Sequence, residues 1–125
     1  STTELARAYM LEFDWLDERS ARRIAEAYGS HARLWLHEDR GQHFGAGLYE
    51  SEVRYLISRE WAHSLEDILW RRSKLGLHLT PAQCAHVAAC MARLMREEPT
   101  ALKRVVQGDQ LQRQLVPGVQ VDHRA

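Results

Sequence analysis

TPAQCAHVAACMARLMREEP, Thr80 to Pro99, is the stretch that decides the fold class. Thr80 is a capping residue, and Pro81 follows it at the first helical position, where its missing N–H costs no hydrogen bond. Cys84, Val87, Ala88, Met91, Ala92, Leu94 and Met95 recur at the three- and four-residue spacing that gathers side chains on one helix face. Pro99 stops the run. No segment of comparable length alternates apolar and polar residues as a strand does.

Working outward, the same period returns. Upstream, Gly76 ends a helix that opens at Ser64, where Asp67 three positions on resembles a capping box. Tyr49 to Trp61 is helical, with Tyr49, Val53, Leu56 and Ile57 on one face. EDRGQHFGAG (Glu38 to Gly47) breaks the pattern with three glycines and reads as a loop. Before it, Ser30 caps a short helix carrying Leu34, Trp35 and Leu36, Gly29 terminates a helix from Asp17 to Tyr28, and a first helix runs from Thr3 to Phe13 with Thr2 or Thr3 as its cap. Downstream, Leu102, Val105 and Val106 mark a helix to Gly108, and Asp109 caps a last short one to Leu115. The expected architecture is all-α, a compact bundle of about five to seven helices in one domain over residues 1–115, with 116–125 a mobile tail.

Composition narrows the function classes. The 125 residues are 45% hydrophobic, ample for a core, with four Trp, four Tyr and two Phe as large anchors. Seventeen Lys and Arg balance seventeen Asp and Glu, without the basic excess of a dedicated nucleic-acid binder. Cys84 and Cys90 lie six positions apart on one helical pattern, on different sides and about 9 Å apart along the axis, which rules against a bridge and favours a reducing compartment. No apolar run is long enough to span a bilayer. The opening Ser1, in place of Met, is what an excised domain would show.

Candidate chemistry is sparse. Gly45 and Gly47 invite comparison with a dinucleotide fingerprint, but Glu50 stands at the third glycine and a polar loop precedes it. His78, Cys84, His86 and Cys90 have zinc-ligand atoms without zinc-ligand spacing: Cys84 and His86 diverge by about 200° around a helix. The richest segment is EWAHSLEDILWRRSKLG, Glu60 to Gly76. In one reading its acids and arginines pair along and between helices while Trp61 and Trp70 fill the core. In a second, Trp and Arg form a docking face. In a third, Arg71, Arg72 and Lys74 grip phosphates and Trp70 stacks on bases, against the opposition of Glu60, Glu66 and Asp67.

FGAGLYESEVRYLISREWAHSLEDILWRRSKLGL, Phe44 to Leu77, resembles the C-terminal domain of the FAD-dependent, respiratory-type glycerol-3-phosphate dehydrogenases. The resemblance is carried by Glu52, Val53, Tyr55 and Leu56, by Glu60-Trp61-Ala62, and by Asp67, Leu69, Trp70, Arg71, Arg72, Lys74, Leu75 and Gly76. Tyr28-Gly29-Ser30 is similar as well, and Ser73 stands where the family more often has Thr. The resemblance implies a parent enzyme that oxidises sn-glycerol 3-phosphate to dihydroxyacetone phosphate, passes the hydride to FAD and the electrons to quinone, and lies peripherally on the cytoplasmic face of the inner membrane. It implies that this domain has no catalytic, cofactor-binding or metal-binding residue and no isolated activity. Its partner is then the FAD-bearing catalytic body of the same chain, with homodimer support as a further role, no nucleic acid, and membrane contact through the parent alone. Glu52, Tyr55, Glu60, Trp61, Asp67, Trp70, Arg71, Arg72 and Lys74 are the structural or docking residues on this reading. A free-standing helical interaction module and a small nucleic-acid-binding domain are the alternatives.

Overall fold

A computed structural model describes residues 1–97. The expected helix to Gly108, the short one to Leu115, the stop at Pro99 and the tail lie outside the described residues. Helix α1 spans Thr2–Glu12 and α2 spans Glu18–Tyr28, followed by a 3-10 turn at Gly29–Leu34. Strands β1 (His43–Gly45) and β2 (Leu48–Tyr49) form a small antiparallel hairpin that runs directly into α3, Glu50–Arg59. A π-helical turn at Asp67–Arg72 and a 3-10 turn at Gly76–His78 lead to α4, Pro81–Glu97. The all-α expectation holds, with five α- or π-helices among the described residues and the hairpin as its one departure.

The helix ends obey local chemistry. Ser1, rather than Thr2 or Thr3, caps α1, in a box with Glu4. Asp17 caps α2 by accepting from the Ser20 N–H at 2.7 Å. Thr80 and Gln83 cap α4 reciprocally, the Thr80 hydroxyl accepting at 3.1 Å and the Gln83 amide oxygen at 2.9 Å. Ser30 caps nothing: the 3-10 turn begins one residue earlier, on Gly29. The glycine-rich loop is a hairpin because Ala46 and Gly47 both take positive φ, the turn geometry that matches strand twist. At Gly47 the hairpin presses so closely on α2 that any Cβ would collide with the Ser20 hydroxyl.

Helices α1 and α2 pack together on one side, and α3 packs on α4 and the hairpin on the other. Tyr9, Ile24, Leu36, Leu48, Leu56, Ile68, Leu69 and Leu94 are among the fully buried side chains between them. On α4 the inward positions are Val87, Cys90, Met91 and Leu94, a stripe rotated from the expected one so that Cys90 is buried and Cys84 only half-buried. Both cysteines are free thiols. Helix α3 is buried nearly all round, with Ser51, Glu52 and Tyr55 inside as well as Val53, Leu56 and Ile57. No helix among the described residues is long and apolar enough to cross a membrane.

Candidate functional site

Two polar centres stand at opposite ends of α3. At its first turn Glu52 is 1% exposed. Arg23 on α2 meets it in a fork, Nη1 donating to Oε2 at 2.7 Å and Nη2 to Oε1 at 2.9 Å. The Tyr28 hydroxyl donates to the same Oε2 at 2.6 Å. Tyr28 in turn sets its ring edge-on to Trp35 at 5.3 Å and to Tyr55 at 5.9 Å. Burial, reinforced by the Glu52 charge, pushes the Tyr28 phenol well above its ordinary value, so it remains a donor. Burial works against the Arg23 charge, yet the facing carboxylate outweighs it and holds the guanidinium above its usual value. Glu52 and Tyr55 are thus core, tied to two residues of α2. Arg23 carried no signal in the sequence, where it is one of many arginines on a polar helix face.

The other centre begins where α3 ends. Glu60 caps the helix, and Trp61 follows at φ 61°, the left-handed position that ordinarily takes glycine. The Ala62 N–H reaches back to the Leu56 carbonyl at 2.9 Å and closes the end. Asp67 opens the π-helical turn. Its backbone N–H donates to the Ser64 hydroxyl at 3.1 Å, while its carboxylate accepts from the His63 N–H at 3.2 Å. This is a capping arrangement in which the short Asp side chain reaches one residue farther back than the expected box. That backbone N–H, helped by Ser64 and by the charges of His63 and Arg71, holds the Asp67 carboxyl below its usual value. The π turn is closed by the Ser73 N–H bonding the Ile68 carbonyl at 2.9 Å.

The arginines do pair with the acids, along the chain for Arg71 and Asp67 (3.6 Å) and between segments for Arg72 and Glu60 (3.4 Å). These contacts are long beside the Arg23 fork. Lys74 is exposed, at φ 59°. The two tryptophans do not fill the core: Trp61 is 43% and Trp70 52% exposed. Trp70 packs against Gly76, where an added Cβ would fall 2.4 Å from the indole, so a larger residue there would push the ring aside. Glu60, Trp61, His63, Asp67, Arg71 and Arg72 line a shallow cleft of about 300 Å³.

The hairpin glycines do not fit a pyrophosphate. Gly47 is backed by Ser20, and the segment is a strand pair rather than a strand entering a helix through a phosphate cradle. No three His, Cys, Asp or Glu gather in a metal-binding group among the described residues.

A profile of the family described as the C-terminal domain of alpha-glycerophosphate oxidase matches residues 1–101. A glycerol-3-phosphate dehydrogenase of Pseudomonas aeruginosa is 48% identical over 89 residues, covering 66% of this chain and 16% of its own length. The aerobic glycerol-3-phosphate dehydrogenase of Escherichia coli is 38% identical over 81 residues, again 16% of its own length, with 61% of this chain covered. A D-erythritol 1-phosphate dehydrogenase of Brucella abortus is 58% identical over 48 residues, 38% of this chain and 10% of that protein. The chain therefore spans about one sixth of the two longer-matching relatives.

Proposed function

The chain belongs to the family of C-terminal domains of alpha-glycerophosphate oxidase, and from that membership we propose that it is the non-catalytic helical domain of an FAD-dependent glycerol-3-phosphate dehydrogenase. The parent oxidises the secondary alcohol of sn-glycerol 3-phosphate to the ketone of dihydroxyacetone phosphate. The hydride passes to FAD held elsewhere in the polypeptide and the electrons onward to quinone, at the cytoplasmic face of the inner membrane. This domain packs against the catalytic body and supports a dimer.

The observation that carries the reading is the 48% identity over 66% of the chain to a glycerol-3-phosphate dehydrogenase. The residues agree with a supporting role. Glu52, the most buried carboxylate among the described residues, is sealed by Arg23 and Tyr28 and has no approach for a substrate. The half-exposed Trp61 and Trp70 suit a face covered by another body. Dye reduction with glycerol 3-phosphate, run on the intact product of the native reading frame and on this chain alone, tests the proposal. A yellow, active intact protein beside a colourless, inert domain supports it, and an intact product without flavin or activity overturns it.

A second substrate reading has its own observation, the 58% identity to a D-erythritol 1-phosphate dehydrogenase over 48 residues. The same assay with D-erythritol 1-phosphate separates the two polyol phosphates.

A further inference from the structure

Arg23, Arg40, Arg54, Arg72 and Arg93 are the half-buried arginines among the described residues. Four of them face a carboxylate: Arg23 meets Glu52, Arg54 and Arg93 meet Glu50, and Arg72 meets Glu60. Arg40 faces two rings instead, its guanidinium carbon 4.5 Å from the centre of Trp15 and 5.3 Å from that of Tyr49. Trp15 and Tyr49 stand edge to face at 5.5 Å, so the pair forms a corner that holds the guanidinium. The Arg40 carbonyl accepts from the Ser51 N–H at 3.0 Å, which ties the residue to the first turn of α3. Acids of the same region are engaged elsewhere. Asp39 turns its Oδ1 back to the Gly41 N–H at 3.0 Å, and Glu50 gives its two oxygens to Arg54 and Arg93. Buried side-chain nitrogens without a partner occur at Arg23 and Trp35 among the described residues and not at Arg40, so its N–H fork opens to solvent. Arg33 shows the completed form of the same arrangement: it stacks on Tyr9 at 4.9 Å and pairs with Glu12 at 3.3 Å.

We propose that Arg40 is a docking anchor whose guanidinium, stacked on Trp15 and Tyr49, receives an aspartate or glutamate side chain of the catalytic body of the same polypeptide in a two-bond fork. The proposal rests on the reading of the chain as an accessory domain. The matched segment is 16% of the Pseudomonas relative, so a far larger body is available to supply the acid. Stacking takes the face of the guanidinium and leaves the donors in its plane, the part that a carboxylate engages. The two rings and the backbone tie hold the side chain in place before the partner arrives, which lowers the entropy lost on docking. Trp, Tyr and Arg are also the residue types that carry most of the energy at protein interfaces. No second guanidinium or ammonium shares these rings among the described residues. The anchor therefore matches the single charge of a carboxylate better than a phosphate dianion.

The test uses the intact polypeptide carrying Arg40→Lys, treated with a zero-length carbodiimide that joins an amine to a carboxylate in contact with it, then digested and mapped by mass spectrometry. The expected product is an intramolecular amide between position 40 and an Asp or Glu outside residues 1–125. Without crosslinker, Arg40→Gln and the amide form of the mapped acid should each speed limited proteolysis between the domain and the body about tenfold, the ratio carried by roughly 1.4 kcal/mol. The two changes together should do no more than either alone, as partners in one contact do. A product joining two copies overturns the occupant, as do a product confined to acids within residues 1–125, additive effects of the two changes, or no product. Where Arg40→Lys prevents folding, the photoreactive residue p-benzoyl-phenylalanine replaces the exposed Gln42, and a crosslink to an acid-bearing peptide of the body is then required. Dye reduction by the unmodified protein keeps the two readings apart: activity without such a product removes the anchor alone, and the product without activity removes the substrate alone.

Discussion

Glu52 and Glu60 stand eight positions apart on one helix, and the contrast between them is instructive. Glu52 occupies the first turn, where the helix dipole favours its charge, and meets three donors between 2.6 and 2.9 Å. Glu60 is the capping residue at the other end, where the dipole opposes it, and its Oε2 meets one cation at 3.4 Å. Both carboxylates are largely removed from water, yet one is saturated and the other incomplete. Burial alone therefore does not say how well a carboxylate is satisfied; the supply of donors does.

Four substitutions and one titration press on that contrast, in descending order of effect. Glu52→Ala leaves the Arg23 charge and the Tyr28 hydroxyl buried without their acceptor and is expected to cost about 3–5 kcal/mol in urea unfolding. A cost near that of an exposed salt bridge would remove the distinction between the two ends of α3. Tyr28→Phe withdraws one of three donors while the Arg23 fork stays, for a loss of about 1–3 kcal/mol by the same measurement. Trp70→Ala gives up a half-covered indole and is expected to cost roughly 1 kcal/mol. A loss of about 3 kcal/mol or more, in the range of a core tryptophan, would count against the exposed face. Arg71→Ala should fall within about 0.5 kcal/mol, because its contact to Asp67 is long and solvated.

The smallest effect is in acid. The folded-state Asp67 carboxyl is held below its unfolded value near 3.8, so its contribution is present above that pH and is lost as the pH falls through the depressed folded value. Asp67→Asn should therefore flatten the acid limb of the stability curve below roughly pH 4, and an unaltered limb would detach Asp67 from it.

Helix identities were legible because capping and period agree: Asp17 for α2, Thr80-Pro81 for α4, and the apolar spacing of α3. The hairpin was not, because strands of three and two residues carry no alternation to read, and their geometry comes from positive φ at Ala46 and Gly47. The stripe on α4 rotated because Cys90 and Cys84 are equally apolar in sequence, and contact with α3 decides between them. Glu52 and Tyr55 came to notice through family resemblance alone, since a charged residue inside a helix buried on every side contradicts a one-face pattern. Trp61 at a left-handed position could not be foreseen, because that place calls for glycine.

The four tryptophans sit in unlike surroundings: Trp35 is sealed in the core, Trp15 is half-buried beneath Arg40, and Trp61 and Trp70 lie open to solvent. Their fluorescence is correspondingly divided into a protected component and a pair open to a dissolved quencher such as iodide. Whatever settles on the end of α3 would dim that quenching at Trp61 first. The domain thereby carries an optical reporter for anything that covers that end, written in residues it already possesses.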